Sequence, residues 1–493
     1  MKKMATLALV CCISLAQAQA QIGVKYDAAL QKGMNMQYFK PKGSLFVGDC
    51  IPFYHEGTYY LYWLLDSGHH SALHGLGGHQ WALSTSKDLI HWEHQPLVIG
   101  IDEEWEKSIC TGSVVYYQSK FYAFYATRLV DSAGKVNERL SYAISDDGIH
   151  FVKQKPNPFY TSAPGYNKRN FRDPKVIVEN DGRFHLFVSS STDTTAGMIL
   201  GEKGALVHLV SSDLKNWKVL SPLIHDQEDV PECPDYFKWN GWYYLIYGRG
   251  GNTFYLKSKK PYGPWEYPSS QAFNEDWSNV VKTAAFNNNR RIAAGWIPSK
   301  KDNKDEGREI FGGNAVLREV LQQADGTLLT GFVKELIPHS GSPVKLAPVL
   351  DSFTKKAGNT SWESVSPDGL SAIQFKGTPA EYRVTLEIEP SGSIEEYGLS
   401  FKSTAHENDG YKLRFKPDNE TVSLHETEIR EVNFLGKKIK VDIIVKNDII
   451  DVCIDNKRCI VNRLPEKKGD NLWLYTKHGR VRFSNLEIRP LDE

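Results

Sequence analysis

Asp49-Cys-Ile-Pro-Phe-Tyr-His55-Glu-Gly57-Thr58-Tyr-Tyr-Leu-Tyr-Trp63 places a carboxylate ahead of two aromatic-rich strands joined by a tight turn. The same order returns at Asp173, followed by Lys175 to Val178 and Arg183 to Ser189. It returns again at Glu232, followed by Tyr236 to Trp239 and Trp242 to Tyr247. The copies recur at a spacing of roughly 60 residues. A copy without the acid opens at Thr111, and a weaker fifth holds Val281 to Phe286, Arg290 to Trp296 and Asn314 to Val320. Downstream, a Ser-Asp-type turn precedes a closing aromatic. Ser86 to Leu89 leads into Trp92, Asp147-Gly148 into Phe151, and Ser212-Asp213-Leu214 into Trp217.

Four short strands with a closing aromatic is the pattern of a β-propeller blade. One such unit cannot bury both of its faces, so it must pack against neighbours on either side. The chain is therefore read as all-β, with five blades closing around a funnel into which the innermost strands open. A β-sandwich with regular turns is the rival, but it has no period longer than its turn spacing of about 8–12 residues. Acids returned to an equivalent place in each blade would gather on one axis. Three carboxylates on one axis point to sugar-bond hydrolysis.

The pattern loosens from about Leu336, and strict alternation begins later, as in Tyr382 to Ile388. The expected boundaries are a propeller over residues 21–337, a linker over 338–351 and a β-sandwich over 352–493. A length of 493 residues suits two domains. Lys and Arg number 59, as do Asp and Glu, so no basic field directs the chain to nucleic acid or an anionic membrane.

Met1 to Ala20 reads as a secretory signal. Lys2 and Lys3 precede a short apolar stretch, and Ala16-Gln17-Ala18 and Ala18-Gln19-Ala20 are small-x-small cleavage sites. The stretch is too short for a membrane span. The expectation is an exported chain, periplasmic or extracellular. Cleavage leaves Cys50, Cys110, Cys233, Cys453 and Cys459, an odd count that requires a free thiol. Cys453 and Cys459 flank a hairpin turn and could bridge it. No metal-ligand spacing appears, and neither metal nor cofactor is expected. His69, His70, His74 and His79 crowd the long first-blade loop, which should overhang the funnel.

Several motifs fall in blade register. They are His79 to Glu93 with its Ser-Lys-Asp-Leu core, Thr111-Gly112-Ser113, Phe171-Arg172-Asp173-Pro174, Glu232-Cys233-Pro234-Asp235, and Arg290-Arg291-Ile292 with Gly295-Trp296. In this order they resemble glycoside hydrolase family 32, the retaining β-fructofuranosidases, and more loosely the five-bladed furanosidases of families 43 and 68. The resemblance implies Asp49 as nucleophile, Glu232 as general acid/base and Asp173 as transition-state stabiliser. Arg172 would orient these acids or bond the substrate. His79, Trp81, Thr111 and Gly112 would contact an oligosaccharide or polysaccharide substrate. The chain departs from the family around the nucleophile. Gly48 stands where an Asn is usual, Cys50 where a Pro is usual, and Leu64 where a Gln is expected. Three readings follow: a hydrolase of terminal furanosides, most simply β-fructofuranosyl bonds; an inverting, arabinofuranosidase-like enzyme; and a glycan-binding propeller without catalysis.

Overall fold

The computed structural model describes residues 23–192, 203–275 and 278–492. The signal reading at Met1 to Ala20 lies outside them. The chain forms a five-bladed β-propeller followed by a β-sandwich. The innermost strands of the blades are Leu45–His55, Ser108–Tyr117, Tyr166–Val178, Glu232–Trp239 and Asn279–Phe286. Each pairs with the next strand in antiparallel register.

The blades are apolar on both faces because strand residues alternate. On Thr58–Ser67, Tyr59, Leu61 and Trp63 pack toward the fifth blade, whereas Tyr62 and Leu64 pack toward the second. Separate apolar clusters fill each of the remaining seams between blades two and three, three and four, and four and five. The ring closes on itself, and among the described residues both faces of each blade are covered. The Ser-Asp turns repeat, with Ser211 rather than Ser212 in the third: Ser86, Ser145 and Ser211 each bond the Asp two residues on and accept backbone N–H groups.

In the sandwich the last strand, Asn471–Pro490, pairs with Ser361–Lys376 along most of its length. Its first half also pairs with Glu396–Ser403 and its second with Tyr382–Ser391, so it passes from one layer to the other. The stretch read as a linker is pinned to this strand by Gly341 N donating to Pro490 O and Val344 N to Ile488 O. The propeller docks on the sandwich through Tyr38, Ile297, Val316 and Phe332 against Ile444, Ile449 and Val461. Cys453 and Cys459 face each other across adjacent strands as buried free thiols, not as a disulfide.

Candidate active site

All five innermost strands carry one extra residue at the same level. In each, a four-residue segment stands opposite three residues of the second strand: Val47 to Cys50, Ile109 to Gly112, Arg172 to Lys175, Glu232 to Asp235, and Asn279 to Lys282. A bulge of this kind bends the strand and re-aims its side chains. The acids are not at equivalent places in it, contrary to the expectation from the repeat. Glu232 is its first residue, Asp173 its second and Asp49 its third. The second residue takes left-handed backbone at Asp173 (φ 53°), Cys233 (φ 49°) and Val280 (φ 39°). The shared kink brings the three acids to one cavity of about 360 Å³, which they line together with Arg172, Trp296 and Phe311.

Depth separates them. Asp49 and Asp173 are 8% and 4% exposed at the floor, whereas the Glu232 side chain is 43% exposed at the mouth. Trp296 Nε1 donates to Asp49 Oδ1 at 3.2 Å. Cys233 N donates to Asp173 Oδ2 at 3.1 Å, and Cys233 Sγ lies 3.7 Å from both Asp49 and Asp173. Arg172 Nη2 donates to Glu232 Oε1 at 2.6 Å, and its Nε lies 3.5 Å from Asp173 and 3.7 Å from Glu138. Glu138 in turn holds Arg128 at 2.8 Å. Lys282, buried, donates to Thr111 Oγ1 at 3.1 Å and Gly112 O at 2.8 Å.

Burial pushes the Asp173 carboxyl up to about 7, with Arg172 and Lys282 opposing and Glu232 and Glu138 reinforcing the rise. Burial also raises Asp49 above the usual range, against the pull of Lys282, His79 and the Trp296 bond. The same burial holds the Cys233 thiol well above its ordinary value, so it is a neutral donor there. The arrangement holds two desolvated carboxyls beneath a solvent-reaching one. That is the layout for attack from below and proton delivery from above.

Arg172, His79 and Thr111 line the cavity. Trp81 does not. It is fully buried in the seam between the first two blades, with Nε1 donating to Cys110 O at 2.9 Å. Trp81 pairs directly with Leu64 and shares its face toward the second blade, and at zero exposure it cannot stack on a sugar. Gly112 contributes its carbonyl to Lys282, and a Cβ there would meet Phe124 O at 1.9 Å. Its role is close backbone packing rather than substrate contact. The histidine cluster splits: His70 and His79 line the cavity, while His69 Nδ1 contacts Phe311 O at 2.9 Å. Burial lowers His70 to about 4, so it is neutral and accepts from Arg128 at 2.8 Å.

The sequence reading missed Lys282, Glu138, Arg128 and Phe311 as site residues, and gave no role to Trp296. Phe311 stacks on His79 with centroids 4.7 Å apart and lies 4.8 Å from Trp296. Its ring stands 2.8 Å from where a Cβ on Gly48 would be. A side chain at 48 and the Phe311 ring could not both occupy that space.

Comparison with known proteins agrees with this geometry. Residues 49–331 match the glycosyl hydrolases family 32 N-terminal domain. The chain is 24% identical over 445 residues to the sucrose-6-phosphate hydrolase of Escherichia coli, spanning 83% of this chain and 86% of that one. It is 24% identical over 500 residues to the levanase of Bacillus subtilis, spanning 89% and 68%. Among solved structures, fructan 1-exohydrolase IIa from Cichorium intybus superposes with a TM-score of 0.66 at 16% identity, over 93% of this chain and 98% of that one. The sucrose-6-phosphate hydrolase from Lactobacillus gasseri gives 0.67 at 16% identity, over 94% of each.

Proposed function

The chain belongs to glycoside hydrolase family 32, and from that premise we propose that it releases terminal furanosyl units, most simply β-fructofuranosyl, with retention of configuration. The observation that carries this reading is the convergence of Asp49, Asp173 and Glu232 on one cavity. Asp49 attacks the anomeric carbon from the floor. Glu232 protonates the leaving oxygen at the mouth, then takes the proton of the water that releases the sugar. Asp173 grips ring hydroxyls more tightly as positive charge builds on the ring. Retention asks for two carboxyls about 5–5.5 Å apart across the anomeric carbon. Glu232 shares the cavity with Asp49, and its charge adds to the rise of that carboxyl.

A second substrate reading has its own observation. Gly48, Leu64 and Phe311 replace polar contact with an apolar wall on one side of the pocket. That wall favours a less hydroxylated ring, such as a pentofuranose in an arabinofuranoside. The test is a panel of sucrose, inulin and levan oligomers and 4-nitrophenyl arabinofuranosides, read with the wild type, Asp49→Asn and Glu232→Gln. Fructose release lost in both variants supports the first reading. Release of pentose alone replaces the substrate and keeps the mechanism. An inverted anomer in the proton spectrum of the first product removes retention. Export is part of the proposal and rests on Met1 to Ala20. An intact amino terminus on protein recovered from the producing cells would remove it.

A further inference from the structure

A second and larger cavity, about 1390 Å³, lies between propeller and sandwich. Its propeller wall includes Phe46, His69 and Ile310, and its sandwich wall includes Thr378, Asn447 and Gly469. It adjoins the catalytic pocket at Ile310, which lines both. The wall is rigid at the junction: Phe46 and His69 lie 4.0 Å apart between ring centroids, and His69 holds the Phe311 carbonyl.

The cleft is cationic in a chain whose net charge is zero. Lys300, Lys446 and Arg463 line it with carboxylate partners, at 2.6 Å to Glu426, 3.3 Å to Glu381 and 2.7 Å to Asp448. Lys40, Lys301, Lys402 and Lys468 line it with no carboxylate within 4.0 Å among the described residues. Against these stand only two more carboxylates in the lining, Asp302 and Asp470. Lys402 is 7% exposed and spends one of its three donors on Asn447 O, in a bond of 2.5 Å. Burial lowers Lys402, and the neighbouring Lys468 lowers it further against the pull of Asp448, Glu381 and Asp305; burial and Arg463 lower Lys40. Like charges thus crowd a concave surface, where an anion would relieve the repulsion.

We propose that this cleft binds the acidic continuation of a saccharide chain, through its sulfate or carboxylate groups, while the terminal unit of that chain occupies the catalytic pocket. The second clause rests on the hydrolase reading. The anion site does not, since it is read by binding alone.

The test is titration calorimetry on the full chain, unsubstituted and as Asp49→Asn, with three hexasaccharides: heparin-derived, galacturonate and inulin-derived. At low salt, one or both charged hexamers should bind about tenfold more tightly than the neutral one and lose that margin as salt rises. The doubly exposed change Lys301→Gln with Lys468→Gln should weaken the charged hexamer about fivefold and leave the neutral one alone. Lys402→Gln should weaken it too, with the melting temperature showing whether the fold is intact. A heparin-only response assigns sulfate, and a galacturonate-only response assigns carboxylate. Equal binding of all three, or charged binding untouched by the double change, overturns the proposal. Absence of furanoside turnover by the unsubstituted chain, with charged binding retained, overturns only the hydrolase reading.

Discussion

Arg318, buried, and Arg172, partly buried, both face carboxylates, and the molecule treats them in opposite ways. Arg318, at the boundary between propeller and sandwich, is 2% exposed. It makes paired bonds to Glu275 at 3.2 and 2.9 Å and to Asp451 at 2.7 and 2.8 Å. Tyr38 adds a hydroxyl to Asp451 at 2.7 Å. Arg172 has one close bond, to Glu232, and two loose contacts beyond 3.4 Å, with Asp49 packed below. The first cluster is matched group for group, so it fixes how the two domains dock. The second is left undermatched, so its carboxyls keep protons and charge available for a reaction.

The largest effects should come from the undermatched cluster, on turnover. Asp49→Asn should lower kcat by about 10⁴-fold or more on every substrate. Glu232→Gln should fall as far on alkyl glycosides but much less on a 4-nitrophenyl leaving group, which departs without a proton. Equal loss on both leaving groups would take the acid role away from Glu232. In the matched cluster the effect should be on stability instead. Arg318→Ala strands two buried carboxylates and should cost about 3–5 kcal/mol in urea unfolding. Arg172→Ala should cost much less stability while lowering kcat/KM. If the two arginines exchanged these phenotypes, the contrast would be wrong.

Asp173 gives the comparison a pH dependence. With its carboxyl held near 7, the folded chain keeps a proton that the unfolded chain releases near pH 4. Stability from this group is therefore lost as pH rises between those values, and the cost is complete above 7. Asp173→Asn removes it. At pH 8 the variant should be more stable than the wild type, by on the order of a few kcal/mol, with the gain gone at pH 4. Catalysis should fall at every pH. A variant less stable than wild type at pH 8 would show that Asp173 holds the fold through its bonds to Cys233. In the wild type, the acid limb of kcat/KM should lie above the ordinary carboxylate range, because Asp49 and Asp173 are both raised.

The blades were legible because their signal is local. Aromatic alternation and a Ser-Asp turn lie within one unit, as at Thr58 to Trp63 and Ser86 to Leu89. The catalytic acids were legible as motifs, but their placement was not. A bulge is defined by what lies opposite, so Asp49, Asp173 and Glu232 look equivalent in sequence and occupy three successive places in the kink. Lys282 and Phe311 carry no motif and come from the fifth blade, far along the chain from Asp49; Phe311 lines the pocket, and Lys282 lies behind Thr111 and Gly112. Trp81 was misread for the same reason: an aromatic near a motif looks like a sugar platform until strand pairing puts it in the seam. The departures at Gly48 and Leu64 were visible, but not the Phe311 ring that fills the space.

The smallest effect belongs to the repeat itself, where matched polar groups recur without chemistry. Ser86 Oγ accepts Leu89 N at 2.8 Å, Ser145 Oγ accepts Gly148 N at 3.0 Å and Ser211 Oγ accepts Leu214 N at 2.9 Å. All three serines are buried, so truncation leaves a backbone N–H without its partner. Ser86→Ala, Ser145→Ala and Ser211→Ala should each cost about 1–2 kcal/mol, with no change in kcat. Within the set the costs should differ in one direction. The residue receiving the bond has left-handed backbone in all three turns, but only the second turn has glycine there, Gly148. Leu89 and Leu214 hold a strained conformation that the serine bond helps to fix. Losing that bond lets the leucines relax and the turn unravel, so Ser86→Ala and Ser211→Ala should cost more than Ser145→Ala in denaturant unfolding. Equal costs would mean that the closing aromatics, with Trp92 Nε1 held by Leu89 O at 2.7 Å and Trp217 Nε1 by Leu214 O at 3.3 Å, fix these turns without the serine.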